Sequence, residues 1–193
     1  MEGSTVTNVR FTARERILAT AYALFSQRGI RAVGVDEVIA RAQVAKATFY
    51  RHFPAKDDLA LAFLERREYA WTIDLVQAES ERRGRTSEEQ LLAIFDIFHE
   101  WFQRDDFEGC SFINVLLEMG AGHSSGEACI RYLENVRSIV RERAERAGLR
   151  DPDEFARSWH ILMKGSIISA AEGDREAAHR AQAMASHLIA DHR

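Results

Sequence analysis

The 193-residue, 22.0 kDa chain is 46% apolar and 29% charged, a balance that supports a folded core and excludes a largely disordered chain. No apolar run reaches the ~18–20 residues of a membrane span, Met1 to Phe11 hold no apolar secretory core, and two cysteines, Cys110 and Cys129, exclude a disulfide framework and point to a reducing cytoplasm. The total charge is −4, but residues 1–52 carry eight Arg/Lys against four acids, a surplus of +4 that leaves −8 on the rest and suits a basic end approaching a polyanion.

Thr12-Ala13-Arg14-Glu15 has the pattern of a capping box. Ile17, Ala21, Leu24 and Phe25 follow at helical spacing, and Gly29 stops the helix. Val35–Ala42 reads as a second helix and Lys46–Phe53 as a third, with Pro54 breaking the chain. From Asp57 to about Arg82 there is no Gly or Pro, which predicts one long helix. Ser87-Glu88-Glu89-Gln90 reads as a second capping box, opening a helix with Leu91, Leu92, Phe95, Phe98, Trp101 and Phe102 on its apolar face. Gly109 and Gly120 bracket a short helix, Ser124 starts one that ends near Gly148, and Asp151-Pro152-Asp153-Glu154 supplies a cap, a first-turn proline and acids for the next. Gly173-Asp174 separates that helix from the last. The expectation is an all-α chain of about nine helices with no strand.

The short spacing between the second and third helices fits a helix-turn-helix. In Lys46-Ala47-Thr48-Phe49-Tyr50-Arg51-His52 the small Ala47, after Ala45, permits close approach to a groove. Lys46 and Arg51 are cations for phosphate or guanine, Thr48 and Tyr50 can donate to phosphate oxygens, and His52 can do either. Val38, Val44, Phe49 and Phe53 read as apolar pins. Periodicity alone equally fits a basic amphipathic surface helix.

Residues 12–64 resemble the N-terminal domain of the TetR/AcrR family of transcriptional regulators. The likeness runs from Ile17, Ala21, Leu24-Phe25 and Gly29 through Val35-Asp36-Glu37-Val38 to the block Thr48-Phe49-Tyr50-Arg51-His52-Phe53, then Lys56-Asp57-Asp58-Leu59. The resemblance implies a DNA-binding domain over residues 1–56 and a ligand-binding and dimerisation domain over 57–193. It implies that Lys46, Ala47, Thr48, Tyr50, Arg51 and His52 face DNA, with Lys56 reaching a phosphate. Tyr50 and Lys56 would anchor the backbone, and Lys46 and Arg51 would read bases. Thr12 and Arg14 are either phosphate contacts or solvated surface. Three positions depart from the family pattern: Gln43 replaces the turn glycine, and Ala45 and Gly34 replace side-chain caps.

The resemblance also implies an inducing small molecule and a homodimer joined by the last two helices. Trp159, Met163, Ile167, Ala178, Ala181, Met184, Ala185 and Leu188 are the interface candidates, with an intramolecular core as the alternative. Such a dimer would set paired recognition helices on near-palindromic double-stranded DNA. Phe95, Phe98 and Phe102 with His99, Asn114, Glu118 and His123 are ligand candidates, although an aromatic stripe also suits a core. Cys110 is either a thiol activated at a helix start or a small buried residue. His179, His187 and His192 are eight and five apart, unlike metal ligands at i, i+4, so no metal or cofactor is expected. Gly122-His123-Ser124-Ser125-Gly126 fits the hydrolase nucleophile elbow, but that motif needs a preceding strand, and Ser124 reads as a helix cap. The expected function is a cytoplasmic, ligand-responsive, sequence-specific DNA-binding regulator, most often a repressor by resemblance, and not an enzyme. Two other readings stand beside it: a helical binding module whose DNA domain is weakened by Gln43 and Ala45, and a hydrolase acting through Ser124.

Overall fold

A computed structural model describes residues 11–193. The charges of Glu2 and Arg10, and most of the segment read for a secretory signal, lie outside the described residues. The helices are α1 (Ala13–Arg28), α2 (Val35–Ala42), α3 (Lys46–His52), α4 (Lys56–Glu68), a π-helical segment (Tyr69–Glu79), α5 (Ser80–Arg83), α6 (Ser87–Phe102), α7 (Ser111–Met119), α8 (Ser124–Arg146), α9 (Pro152–Ala171) and α10 (Ala177–Asp191). α4, the π-helical segment and α5 follow one another without a break, so the described residues form nine helical rods and no strand. No helix among them is long and apolar enough to cross a membrane.

The chain divides into two compact units, one ending at Phe63 and one starting at Leu64, so the boundary falls inside α4. In the first unit, Thr12 and Glu15 form the expected capping box, satisfying two orphan amides at the start of α1. Ile17, Ala21, Leu24 and Phe25 are buried, and Phe63 packs edge-on against Tyr22 and Phe25 at 5.3 and 5.6 Å. Glu37 on α2 is held by both Arg28 and Arg41. Arg16 donates to the Ala42 carbonyl at the end of α2, one of the oxygens that has no partner within its own helix.

The second unit is built around α6. Trp71 of the π-helical segment stacks on Phe98 at 5.3 Å and lies 4.3 Å from Trp101. Phe95 contacts Trp159 of α9 at 5.3 Å. The long helix expected from Asp57 to about Arg82 is therefore present, but eleven of its residues are π-helical, a wider winding that leaves no mark on hydrophobic spacing.

Two start signals are corrected. The cap of α6 is Thr86, not Ser87: Thr86 accepts from the Glu89 amide while Glu89 accepts from the Thr86 amide. Ser124 does not cap α8. His123 does, its Nδ1 accepting from the Ser125 amide at 3.2 Å. Asp151 stands before α9 as expected, but it is left-handed at φ 48° and its side chain makes no capping bond.

Candidate nucleic-acid interface

The turn before α3 determines how the recognition helix is presented. Gln43 adopts the left-handed conformation (φ 52°, ψ 51°). Its amide donates to the Ala40 carbonyl and the Val44 amide donates to the Ile39 carbonyl, closing a Schellman motif without the usual glycine. Gly34 and Ala45 stand at the caps of α2 and α3 with no side-chain bond. The three departures from the family pattern thus leave the helix-turn-helix formed.

α3 turns Phe49 into the core and is followed by Phe53, both buried, with ring centroids 6.1 Å apart. Arg14 lies over the Phe53 ring at 5.4 Å, so at least part of its charge serves packing. This anchoring leaves Lys46, Ala47, Tyr50 and Arg51 exposed and Thr48, His52 and Lys56 half-buried. All seven DNA candidates therefore lie on α3 or at the first residue of α4, within one unit. Lys46 Nζ sits 3.4 Å from the Asp36 carboxylate, a solvated pair worth at most about 1 kcal/mol and replaceable by a phosphate. Asp58 accepts from the Ala55 amide, which fixes the bend into α4 that carries Lys56.

The ligand candidates do not form one cluster. Phe95, Phe98 and Phe102 are buried in the α6 core, and His99 points to α10, where it stacks on His179. Asn114 donates to the Glu108 carbonyl, Glu118 lies near the end of α7, and His123 caps α8. Sequence reasoning missed two buried polar atoms of α9, Trp159 Nε1 against the aromatic core and His160 Nδ1, which have no hydrogen-bond partner among the described residues. Burial, with help from Lys164 and Arg137, pushes the His160 pKa down to about 3, so the ring is neutral near pH 7. Apolar periodicity marks such positions as core and says nothing of their polar atoms.

Cys110 precedes α7, but it is buried and burial pushes its thiol pKa up. Cys129 is pushed up to about 12 by the same cause. Both thiols stay protonated, the opposite of an activated cysteine. Among the interface candidates, Trp159, Ala178 and Ala185 are fully buried within one chain, Met163, Ile167 and Ala181 nearly so, and Leu188 is partly exposed. Met184 is exposed, as are Ile161 and Ile168 of α9. The glycine-serine run at the start of α8 also has a packing origin: a Cβ on Gly126 would overlap the Gly120 carbonyl oxygen. Ser124 follows a helix-to-helix turn, so no nucleophile elbow forms.

Residues 17–63 match the family model of the bacterial regulatory proteins of the tetR family. The chain is 28% identical over 106 residues to the transcriptional repressor NemR of Escherichia coli K12, a match covering 55% of this chain and 53% of NemR. It is 33% identical over 92 residues to the transcriptional activator FasR of Mycolicibacterium smegmatis, covering 48% and 41%. The chain thus spans about half the length of these curated relatives. The crystal structure of SCO4454, a TetR-family regulator from Streptomyces coelicolor, superposes with a TM-score of 0.85 at 28% identity, covering 93% of this chain and 95% of that one. The matched stretch falls on the helices that build the helix-turn-helix, so residues 17–63 form a DNA-binding domain of the tetR type, and the likeness to TetR-family transcriptional regulators continues through the helical body.

Proposed function

We propose that the protein is a homodimeric repressor that binds a near-palindromic operator through α3 and releases it when a small molecule occupies the second unit. The observation that carries the DNA-binding part is the orientation of α3: its apolar residue faces inward, and Lys46, Tyr50 and Arg51 are left exposed. Tyr50 and Lys56 hold phosphates, while Lys46 and Arg51 read base edges in the major groove. NemR, named as a repressor, and FasR, named as an activator, both match this chain. The repressor reading follows the former.

Dimerisation is supported by an exposed stripe on α9, Ile161, Gly165 and Ile168, with Met184 on α10. These α9 positions recur at i, i+4 and i+7, so they share one face. Gly165 has open space where a side chain would stand, which permits close helix approach. The effector would lie beside Trp159, whose unpaired Nε1 offers a polar contact to an otherwise apolar ligand. It acts by binding one arrangement of the dimer better than the other, and only that difference in affinity moves the equilibrium.

The test is a footprint on the DNA flanking the protein's own gene, at physiological salt with excess non-specific competitor. A protected inverted repeat supports the reading, and protection that disappears with competitor leaves only charge-driven binding and contradicts it.

A further inference from the structure

The histidines of α10 are too far apart to form a metal site among themselves, yet the fold gives one of them partners from elsewhere. His99, in the last turn of α6, and His179, in the first turn of α10, stack with ring centroids 3.8 Å apart and planes 19° apart. Glu176, just before α10, reaches both. Its Oε2 is 3.0 Å from His179 Nδ1 and 3.9 Å from His99 Nδ1. One ligand atom from each residue lies within 4.8 Å of the others. His99 Nδ1 is buried and has no hydrogen-bond partner among the described residues.

We propose that His99, Glu176 and His179 bind one divalent transition-metal ion of the zinc class, joining α6 to α10. Two imidazole nitrogens and one carboxylate oxygen form a donor set suited to Zn2+, Co2+ or Ni2+ and poorly suited to Mg2+ or Ca2+. Three protein ligands leave a fourth position for water or a small anion. Bond lengths of about 2.0–2.2 Å at tetrahedral angles require donor atoms about 3.3–3.5 Å apart; Glu176 and His179, at 3.0 Å, already stand at about that spacing, so what remains is to bring this pair closer to His99, whose Nδ1 lies 3.9 Å from Glu176 Oε2. Glu176 and His179 are well exposed and can turn to do so, whereas His99 is largely covered.

The framework around the site is already tied. Gln103 donates to the Arg175 carbonyl and Arg175 donates to the Gln103 carbonyl, at 3.0 and 3.3 Å. Arg180 binds Asp174, which also accepts from the Glu176 amide. These bonds hold the turn before α10 against the end of α6, so the chain entropy of bringing the ligands together is met by folding. His179 and the exposed Met184 lie on different sides of α10, and the site does not depend on the DNA-binding reading.

The experiment uses the full chain, stripped with chelator and titrated with Co2+, whose tetrahedral complexes absorb in the visible, followed by displacement with Zn2+. The expected result is one equivalent per chain, with binding that weakens as protons compete for the imidazoles. His179→Ala and His99→Ala should each weaken binding at least tenfold, and Glu176→Gln several-fold, with circular dichroism unchanged. His187→Ala and the Cys110→Ser/Cys129→Ser pair should leave it intact. Should His99→Ala fail to fold, His179→Ala decides, because its side chain is well exposed. Non-saturating binding, or binding unmoved by His179→Ala, overturns the proposal.

Discussion

Arg51 and Lys56 carry the same charge, and the proposed mode of DNA binding gives them different tasks. Arg51 is exposed on α3, where its planar fork can pair with a guanine edge, while Lys56 opens α4 beside helix amides that favour phosphate. Arg51→Ala should cost about 1–3 kcal/mol on the preferred duplex and relax preference at one base pair, whereas Lys56→Ala should weaken all duplexes and lower the salt slope by about 1. Binding isotherms across salt and single-base variants check both, and an Arg51→Ala effect confined to the salt slope contradicts the base-reading role. His160 supplies a pH prediction. Its native pKa is about 3 against an unfolded value near 6.5, so as pH falls through that window the unfolded chain takes a proton that the native chain refuses. Stability is fully present above about pH 6.5 and declines below it, by up to about 1.4 kcal/mol per pH unit from this group. Urea unfolding of His160→Phe should show a flatter decline between about pH 6.5 and 5, and an unchanged slope would refute the assignment. The exposed cations of α3 were legible in the sequence because they lie on one short helix whose apolar residue, Phe49, marks the buried face. The His99–Glu176–His179 cluster was not, because only tertiary packing joins residues so far apart in the chain.

At the level of elements, one turn can be compared with others in the same molecule. α8 and α9 end in the Schellman pattern with glycine at the left-handed position, Gly148 at φ 69° and Gly173 at φ 108°. α2 ends the same way with Gln43. A non-glycine residue there is strained, so Gln43→Gly should stabilise the protein by about 0.5–1 kcal/mol. The urea midpoint measures this, with DNA affinity equal to or above that of the parent, and a lowered midpoint would show that the Gln43 side chain makes a compensating contact. The ends of α2 and α3 were readable because turn chemistry is local. The α6 start was read one residue late because Thr86 and Ser87 are both capping types, and only the bond from the Glu89 amide distinguishes them. The Gly122–Gly126 run looked like catalytic chemistry because the first turn of α8, which folds back against the Gly120 carbonyl, also demands glycine.

For the whole molecule, what matters is which apolar surface remains after one chain has folded. Trp159 was a reasonable interface candidate by residue type, but its contacts with Phe95 and Phe155 consume it within the monomer. Ile161, Ile168 and Met184 remain exposed. Helical periodicity identifies apolar faces without saying which neighbour covers them, so the sequence could name α9 and α10 as candidates for an interface but not which of their residues folding leaves exposed. Ile161→Asp combined with Ile168→Asp should yield a folded monomer by sedimentation equilibrium, with operator affinity reduced by at least a hundredfold because paired half-sites are no longer engaged together. A double variant that stays dimeric would place the interface elsewhere. Recognition by α3 is tested most directly by selecting bound duplexes from a random pool with the purified protein, at physiological salt and with excess competitor. The expected result is enrichment of an inverted repeat whose half-site preference changes with Arg51→Ala, and a pool that stays unenriched would contradict sequence-specific recognition by α3.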